Sequence, residues 1–92
     1  MAIKIGYWAP QERYAPSQLL DNAVLAEMHA FETVVTSDHF HPWFHTNASA
    51  AFSWIWMAAV AERTRALEIG TGVTVPTMRY HPAIVAQAFS TL

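Results

Sequence analysis

Strand-like segments beginning near residues 3, 33 and 67 are each followed by a helical pattern, and this alternation restricts the fold more than any other feature of the chain. Ile3, Ile5 and Tyr7 alternate with Lys4 and Gly6, the period of a strand with two unlike faces, which predicts a first strand over about residues 3–7. Pro16 suits the first turn of a helix, where its missing N–H costs nothing. Leu20, Ala23, Val24 and Met28 then recur at helical spacing to about His29. Residues 31–37 hold the β-branched run Thr33-Val34-Val35-Thr36, free of charge from Thr33 onward, which reads as a strand covered on both faces. A second helix follows with Phe52, Ile55, Trp56, Ala59 and Val60 on its apolar face. The third strand spans about 67–73 with Gly70 and Gly72. Pro82 then opens a third helix with a stripe of Ile84, Val85, Ala88, Phe89 and Leu92.

The order βαβαβα, with crossovers of this length, makes neighbouring strands parallel. Right-handed crossovers put the helices on one side of a sheet rolled toward a barrel. The expected fold class is therefore α/β, the first three β/α units of a TIM (β/α)8 barrel. Such a barrel needs eight units and roughly 250 residues, so 92 residues leave two sheet edges open. The composition agrees with a part of something larger or with an oligomer. Asp, Glu, Lys and Arg make up only 13% of the chain against 53% apolar residues, about half the usual charged share. Apolar area should stay uncovered in so short a chain.

Composition also excludes functions. A net charge of −2 with five Lys and Arg argues against a nucleic-acid surface and against binding to an anionic membrane, both of which need clustered positive charge. The start, MAIKIGYW, lacks a basic stretch followed by a long apolar one, and no uninterrupted run of 18 apolar residues exists, so a soluble protein with its own start is expected. With no cysteine there is no thiolate nucleophile or Cys-based zinc site. A cytoplasmic protein is the expectation.

Chemistry concentrates after the second strand. Ser37-Asp38-His39-Phe40-His41-Pro42-Trp43-Phe44-His45 holds three of the five histidines. It begins at a strand's C-terminal end, where parallel α/β folds carry their ligand sites. An Asp beside a His there can orient an imidazole for acid–base work, and Trp43 offers a flat wall for a planar ligand. The alternatives are loop aromatics packing the barrel mouth, or a His39-x-His41 metal pair, whose further ligands would lie beyond residue 92. Gly70-Thr71-Gly72-Val73-Thr74 puts two glycines at the same face, either a strand bulge or a place where a flat ligand nears the main chain.

Taken together, IGYWAPQERY, VVTSDHFHPWFH and GTGVTVPTMRYHPAIVAQAFSTL resemble the N-terminal part of the luciferase-like barrel superfamily. The likeness is to its deazaflavin branch, the coenzyme F420-dependent sugar-phosphate and secondary-alcohol dehydrogenases. His41-Pro42-Trp43-Phe44-His45 and Met78-Arg79-Tyr80 are similar to the alcohol enzyme; Glu62-Arg63-Thr64 and Ala51-Phe52-Ser53-Trp54 to the sugar-phosphate enzyme. The resemblance implies that Asp38 contacts the deazaflavin and helps fix the neighbouring imidazole. It further implies that His39 takes the substrate hydroxyl proton and that Trp43 walls the site. Gly72, Val73 and Thr74 are implied to lie under the ring, with a non-proline cis peptide at Gly72–Val73. The implied partner is a small alcohol or sugar phosphate, the implied assembly of the full-length protein a homo-oligomer, and the alternative cofactor FMN, in a luciferase-like monooxygenase. A non-catalytic fragment that needs self-association or a complementing chain is a further alternative, and activity is not expected of 92 residues alone. The family's catalytic Glu, after the fourth strand, has no counterpart here. Two departures stand out. Ala30 replaces the family's usual Gly. Asn47-Ala48-Ser49-Ala50 lacks the sugar-phosphate wording. Arg79 and His81 suggest an anion site, but an Arg in such a turn is expected to hold loop carbonyls instead.

Overall fold

The computed structural model describes residues 2–92. Six elements alternate along it: β1 (Gly6–Ala9), α1 (Pro16–Met28), β2 (Thr33–Thr36), α2 (Ser53–Arg63), β3 (Glu68–Thr71) and α3 (Pro82–Thr91). The strands form one parallel sheet in the order β1-β2-β3, with Ala9, Thr36 and Thr71 in register at its C-terminal end. Parallel strands in order of sequence leave all three βα loops on that one end, so the loop after β2 and the loop after β3 are neighbours.

Helices α1 and α2 cover one face of the sheet. Leu19 and Ala23 of α1 and Trp56, Met57 and Val60 of α2 enclose Ala9 and Val34 in a single buried core. Fully burying Leu19, Val34, Met57 or Val60 contributes about 1.5–3 kcal/mol each. The other face carries Trp8 and Val35, paired in register, and Trp8 is 48% exposed. The expectation that β2 is covered on both faces therefore fails: Val34 and Thr36 are buried, while Thr33 and Val35 are half-buried.

Other boundaries and faces shift for physical reasons. β1 runs two to three residues later than the alternation predicted, because the ladder extends only where β2 is extended, and Ile3 and Ile5 stand beyond the helical layer, 89% and 62% exposed. In α1 the buried row is Leu19, Ala23 and Ala26, while Leu20 borders a shallow groove beside Ile55 and Trp56. In α2 the buried row is Ser53, Trp56, Met57 and Val60, leaving Ile55 exposed. The stripe predicted on α3 is only partly covered: Val85 and Ala88 are half-buried, Ile84, Phe89 and Leu92 are exposed, and Phe89 meets Trp54 edge-on, ring centroids 4.6 Å apart.

Helix ends are fixed by specific groups. The Trp56 indole N–H donates to Pro16 O at 3.0 Å and ties α2 to the start of α1. At the other end of α1 the Phe31 N–H bonds to Ala26 O (3.0 Å) and the Ala30 N–H to Glu27 O (3.1 Å), a Schellman motif with Ala30 at φ 65°. The Glu27 carboxylate accepts from the Arg65, Ala66 and Leu67 backbone N–H groups and so fixes the approach to β3. Those N–H groups, Ala66 first, hold its carboxyl below the usual carboxylate range.

Candidate active site

The tip of β2 is a buried polar knot. Thr36, Ser37 and Asp38 are all buried, so each polar atom needs a partner inside the protein. Thr36 Oγ1 donates to Ala9 O (3.0 Å) and accepts from Gln11 Nε2 (2.9 Å). Ser37 Oγ accepts from the Gln11 N–H (2.8 Å) and donates to the Glu12 carboxylate. The Ser53 hydroxyl donates to Ser37 O and thereby joins the start of α2 to the end of β2. β1 and β2 thus enter their loops as one rigid unit, with Glu12 directed toward the Asp38 segment.

Asp38 occupies the centre of the next layer. Its Oδ2 accepts from the Thr74 hydroxyl (2.7 Å), and its Oδ1 accepts from Arg79 (3.0 Å) and from the Tyr80 hydroxyl (3.0 Å). All three donors come from the loop after β3, so this one carboxylate fastens the β2 and β3 loops together. The Arg79 guanidinium also lies 4.9–5.9 Å from the Tyr80, Phe52 and Phe40 ring centroids, within cation–π range. Partial burial, then the hydrogen bond to Asp38, push the Tyr80 phenol up to about 12. Tyr80 is therefore a donor to Asp38 at any ordinary pH.

Above this layer opens a cleft of about 760 Å³. Its walls are the aromatic and aliphatic side chains Trp8, Trp43, Phe44, Val73 and Val75, with Gly72 exposing main chain between them. Asp38, His39, Glu12 and Arg13 supply the charged and titratable groups, and Thr46, Asn47 and Ala48 complete the rim. The His39 ring meets Trp43 edge-on, centroids 5.6 Å apart.

Five of the six residues singled out in the sequence, Asp38, His39, Trp43, Gly72 and Val73, line this one cleft, and Thr74 lies against it on Asp38. The Gly72–Val73 peptide is cis. Two expectations need correction. Asp38 makes no hydrogen bond to the His39 imidazole among the described residues; its oxygens accept from Thr74, Arg79 and Tyr80. Arg79 holds a carboxylate, not loop carbonyls. His81 is no anion ligand either: its Nδ1 accepts from the Ala83 N–H and caps α3. The His39-x-His41 pair diverges, His39 toward Trp43 and His41 toward His45. Among the described residues no three His, Asp or Glu side chains stand close enough to share a metal ion.

Sequence reasoning missed Glu12 and Trp8, and it singled out Arg79 and Tyr80 without their bonds to Asp38. Glu12 and Trp8 sit at the tip of β1, the remaining strand end on the same face, and that placement alone could have drawn attention to them. The Arg79–Asp38 pair joins positions 41 residues apart, which no local pattern reveals.

A charged, aromatic cleft built from adjacent βα loops thus lies at the end of the sheet where parallel α/β folds carry their ligand sites. The profile of the Luciferase-like monooxygenase family matches residues 2–92, and the chain belongs to that family. It is similar to the F420-dependent glucose-6-phosphate dehydrogenases of Rhodococcus erythropolis (51% identical over 90 residues) and Mycobacterium tuberculosis (50% over 90). In both cases the match takes in 98% of this chain and 27% of the relative, so the chain spans about a quarter of the length of these relatives. A solved structure described as an F420-dependent secondary alcohol dehydrogenase in complex with an F420-acetone adduct superposes with a TM-score of 0.95 at 48% identity. It is matched over 99% of this chain and 28% of its own. The fold is that of the first three β/α units of a TIM barrel. Among the described residues no helix is long and apolar enough to cross a membrane.

Proposed function

We propose that residues 1–92 are the N-terminal part of a luciferase-like barrel domain, and that the complete protein is a cytoplasmic oxidoreductase. It transfers a hydride from an alcohol carbon to coenzyme F420. The observation that carries this reading is the single cleft shared by Asp38, His39, Trp43, Gly72 and Val73. The likeness to relatives named as F420-dependent dehydrogenases supports it further. The open inner face around Trp8 and the partly covered stripe of α3 suit units that stack against further β/α units.

The residues present fit a deazaflavin. A flat tricycle needs a slot with apolar walls and close main-chain approach; Trp43, Val73 and Val75 provide the walls, and Gly72 has no side chain to block the approach. When bound, F420 supplies the hydride acceptor, which is chemistry no side chain offers. The protein's own contribution is positional and protonic. His39 accepts the proton that the substrate hydroxyl must lose as its carbon gives up hydride, an effect of typically 10²–10⁴-fold. Trp43 packs edge-on to His39 and limits where the substrate carbon sits. Asp38, held by three donors, fixes the β3 loop against the His39 loop, so the base and the ring seat keep one geometry.

The substrate is a small secondary alcohol or a sugar phosphate, and the two are separated by assay. Purified full-length protein should reduce F420 with propan-2-ol or with glucose 6-phosphate and should not consume oxygen. Tightly held FMN with oxygen uptake would refute the F420 reading and leave the flavin monooxygenase.

A further inference from the structure

Trp8 belongs to β1, yet its indole reaches the loop after β3, two strands away in the sheet. The row Trp8, Val35, Gly70 is in register across the sheet. Nothing lies within 4 Å of where a Cβ on Gly70 would stand, so the row leaves room beside Val35. The indole does not fill the space at Gly70 and ends instead against Gly72. A Cβ built on Gly72 would lie 3.0 Å from Trp8 Cζ3, 3.4 Å from Cη2 and 2.9 Å from Val35 Cγ1. No glycine of the chain has positive φ, so what demands glycine at 72 is space, not backbone freedom. Val35 gives way poorly, because a β-branched side chain in a strand has few rotamers.

We infer that Trp8 is a positioning residue whose indole, reaching across from β1, sets the level at which Gly72 and Val73 form the floor of the cleft. The inference rests on the F420 reading for what that floor carries, the deazaflavin ring, but the packing itself is independent of it. Trp8 shares the exclusion of a side chain at 72 with Val35: a smaller residue at 8 removes the indole's part of the conflict and leaves that of Val35 Cγ1.

The test uses the full-length protein and four forms: wild type, Gly72→Ala, Trp8→Leu and the double variant. F420 affinity is read by fluorescence titration and Tm by calorimetry. In the wild-type background Gly72→Ala should weaken F420 binding on the order of tenfold, and in the Trp8→Leu background by a clearly smaller factor, because the indole contacts of the added methyl are gone while that with Val35 Cγ1 remains. Trp8→Phe, which keeps a flat ring below Gly72, should retain affinity better than Trp8→Leu, a distinction that stability alone would not produce. Equal losses from Gly72→Ala in both backgrounds would overturn the inference. Should Gly72→Ala fail to fold, recovery of folded, F420-binding protein in the double variant supports it, and failure of both overturns it. A wild-type protein that binds no F420 would refute the functional reading. The Tm values would then decide the Trp8 role alone, coupling supporting it and additivity ending it.

Discussion

Replacing Arg79 by Met removes the guanidinium that faces Asp38 while keeping much of the side chain's length and its contact with the surrounding rings. The Asp38 side chain is 1% exposed and that of Arg79 26%, with the charged atoms 3.0 Å apart. The pair is therefore closer to a buried ion pair than to a surface one. A surface pair contributes about 0–1 kcal/mol, whereas stranding one member of a buried pair costs about 3–5 kcal/mol. Thr74 and Tyr80 still donate to the carboxylate, which places the expected loss at the lower end, about 3 kcal/mol. The lost cation–π contacts, about 0.5–1 kcal/mol at partly exposed sites, are roughly offset by sulfur–aromatic contacts of about 0.3–1.5 kcal/mol. Urea denaturation of the full-length protein at neutral pH measures the loss. The double variant Asp38→Asn/Arg79→Met, which strands no charge, should be less destabilised than Arg79→Met alone. A loss below about 1 kcal/mol, or a double variant whose loss is the sum of the singles, would refute the reasoning that Arg79 compensates a buried carboxylate.

The remaining predictions concern single groups. Ala30→Gly should stabilise the protein by about 1 kcal/mol, since relief of the left-handed conformation exceeds the extra freedom glycine gives the unfolded chain; an unchanged or lower Tm would contradict the cap geometry. His39→Ala should lower F420 reduction by about 10²–10⁴-fold with little change in F420 affinity, measured by steady-state kinetics beside a binding titration. Trp43→Phe should retain more turnover than Trp43→Ala, because a ring face remains beside His39. The Tyr80 phenol should ionise near 12 instead of 10.0, visible as a late step in a spectrophotometric titration. Because the folded value is the higher one, this group's contribution to stability is complete below the unfolded pKa of about 10 and is lost as pH rises toward the folded value.

The sequence revealed the element order because βα alternation is a local property, written in spacing and in residues such as Pro16 and Pro82. It misplaced what depends on neighbours. Ile3 and Ile5 alternate like a core strand but lie beyond the reach of the helices. The apolar rows of α1 and α2 turned by about one residue, because each helix packs against the sheet and borders its neighbour, and a mean stripe cannot say which row meets which. Asp38, His39, Trp43 and Gly72 were legible because residues at strand tips share one end of a parallel sheet whatever the details. The partners of Asp38 were not, since Thr74, Arg79 and Tyr80 reach it only after the third strand has paired. Gly72 was legible as a place where a ligand nears the main chain, but its crowding by Trp8 and Val35 was not, since both neighbours come from other strands.

A crystal structure of the full-length protein with F420 bound probes the account at its centre. Ring density in van der Waals contact with Gly72 and Val73, open toward His39 and Trp43, is the predicted result. Density for the ring at any other face of the barrel, with these side chains free of it, would contradict the claim that the β2 and β3 loops together form the seat for hydride transfer.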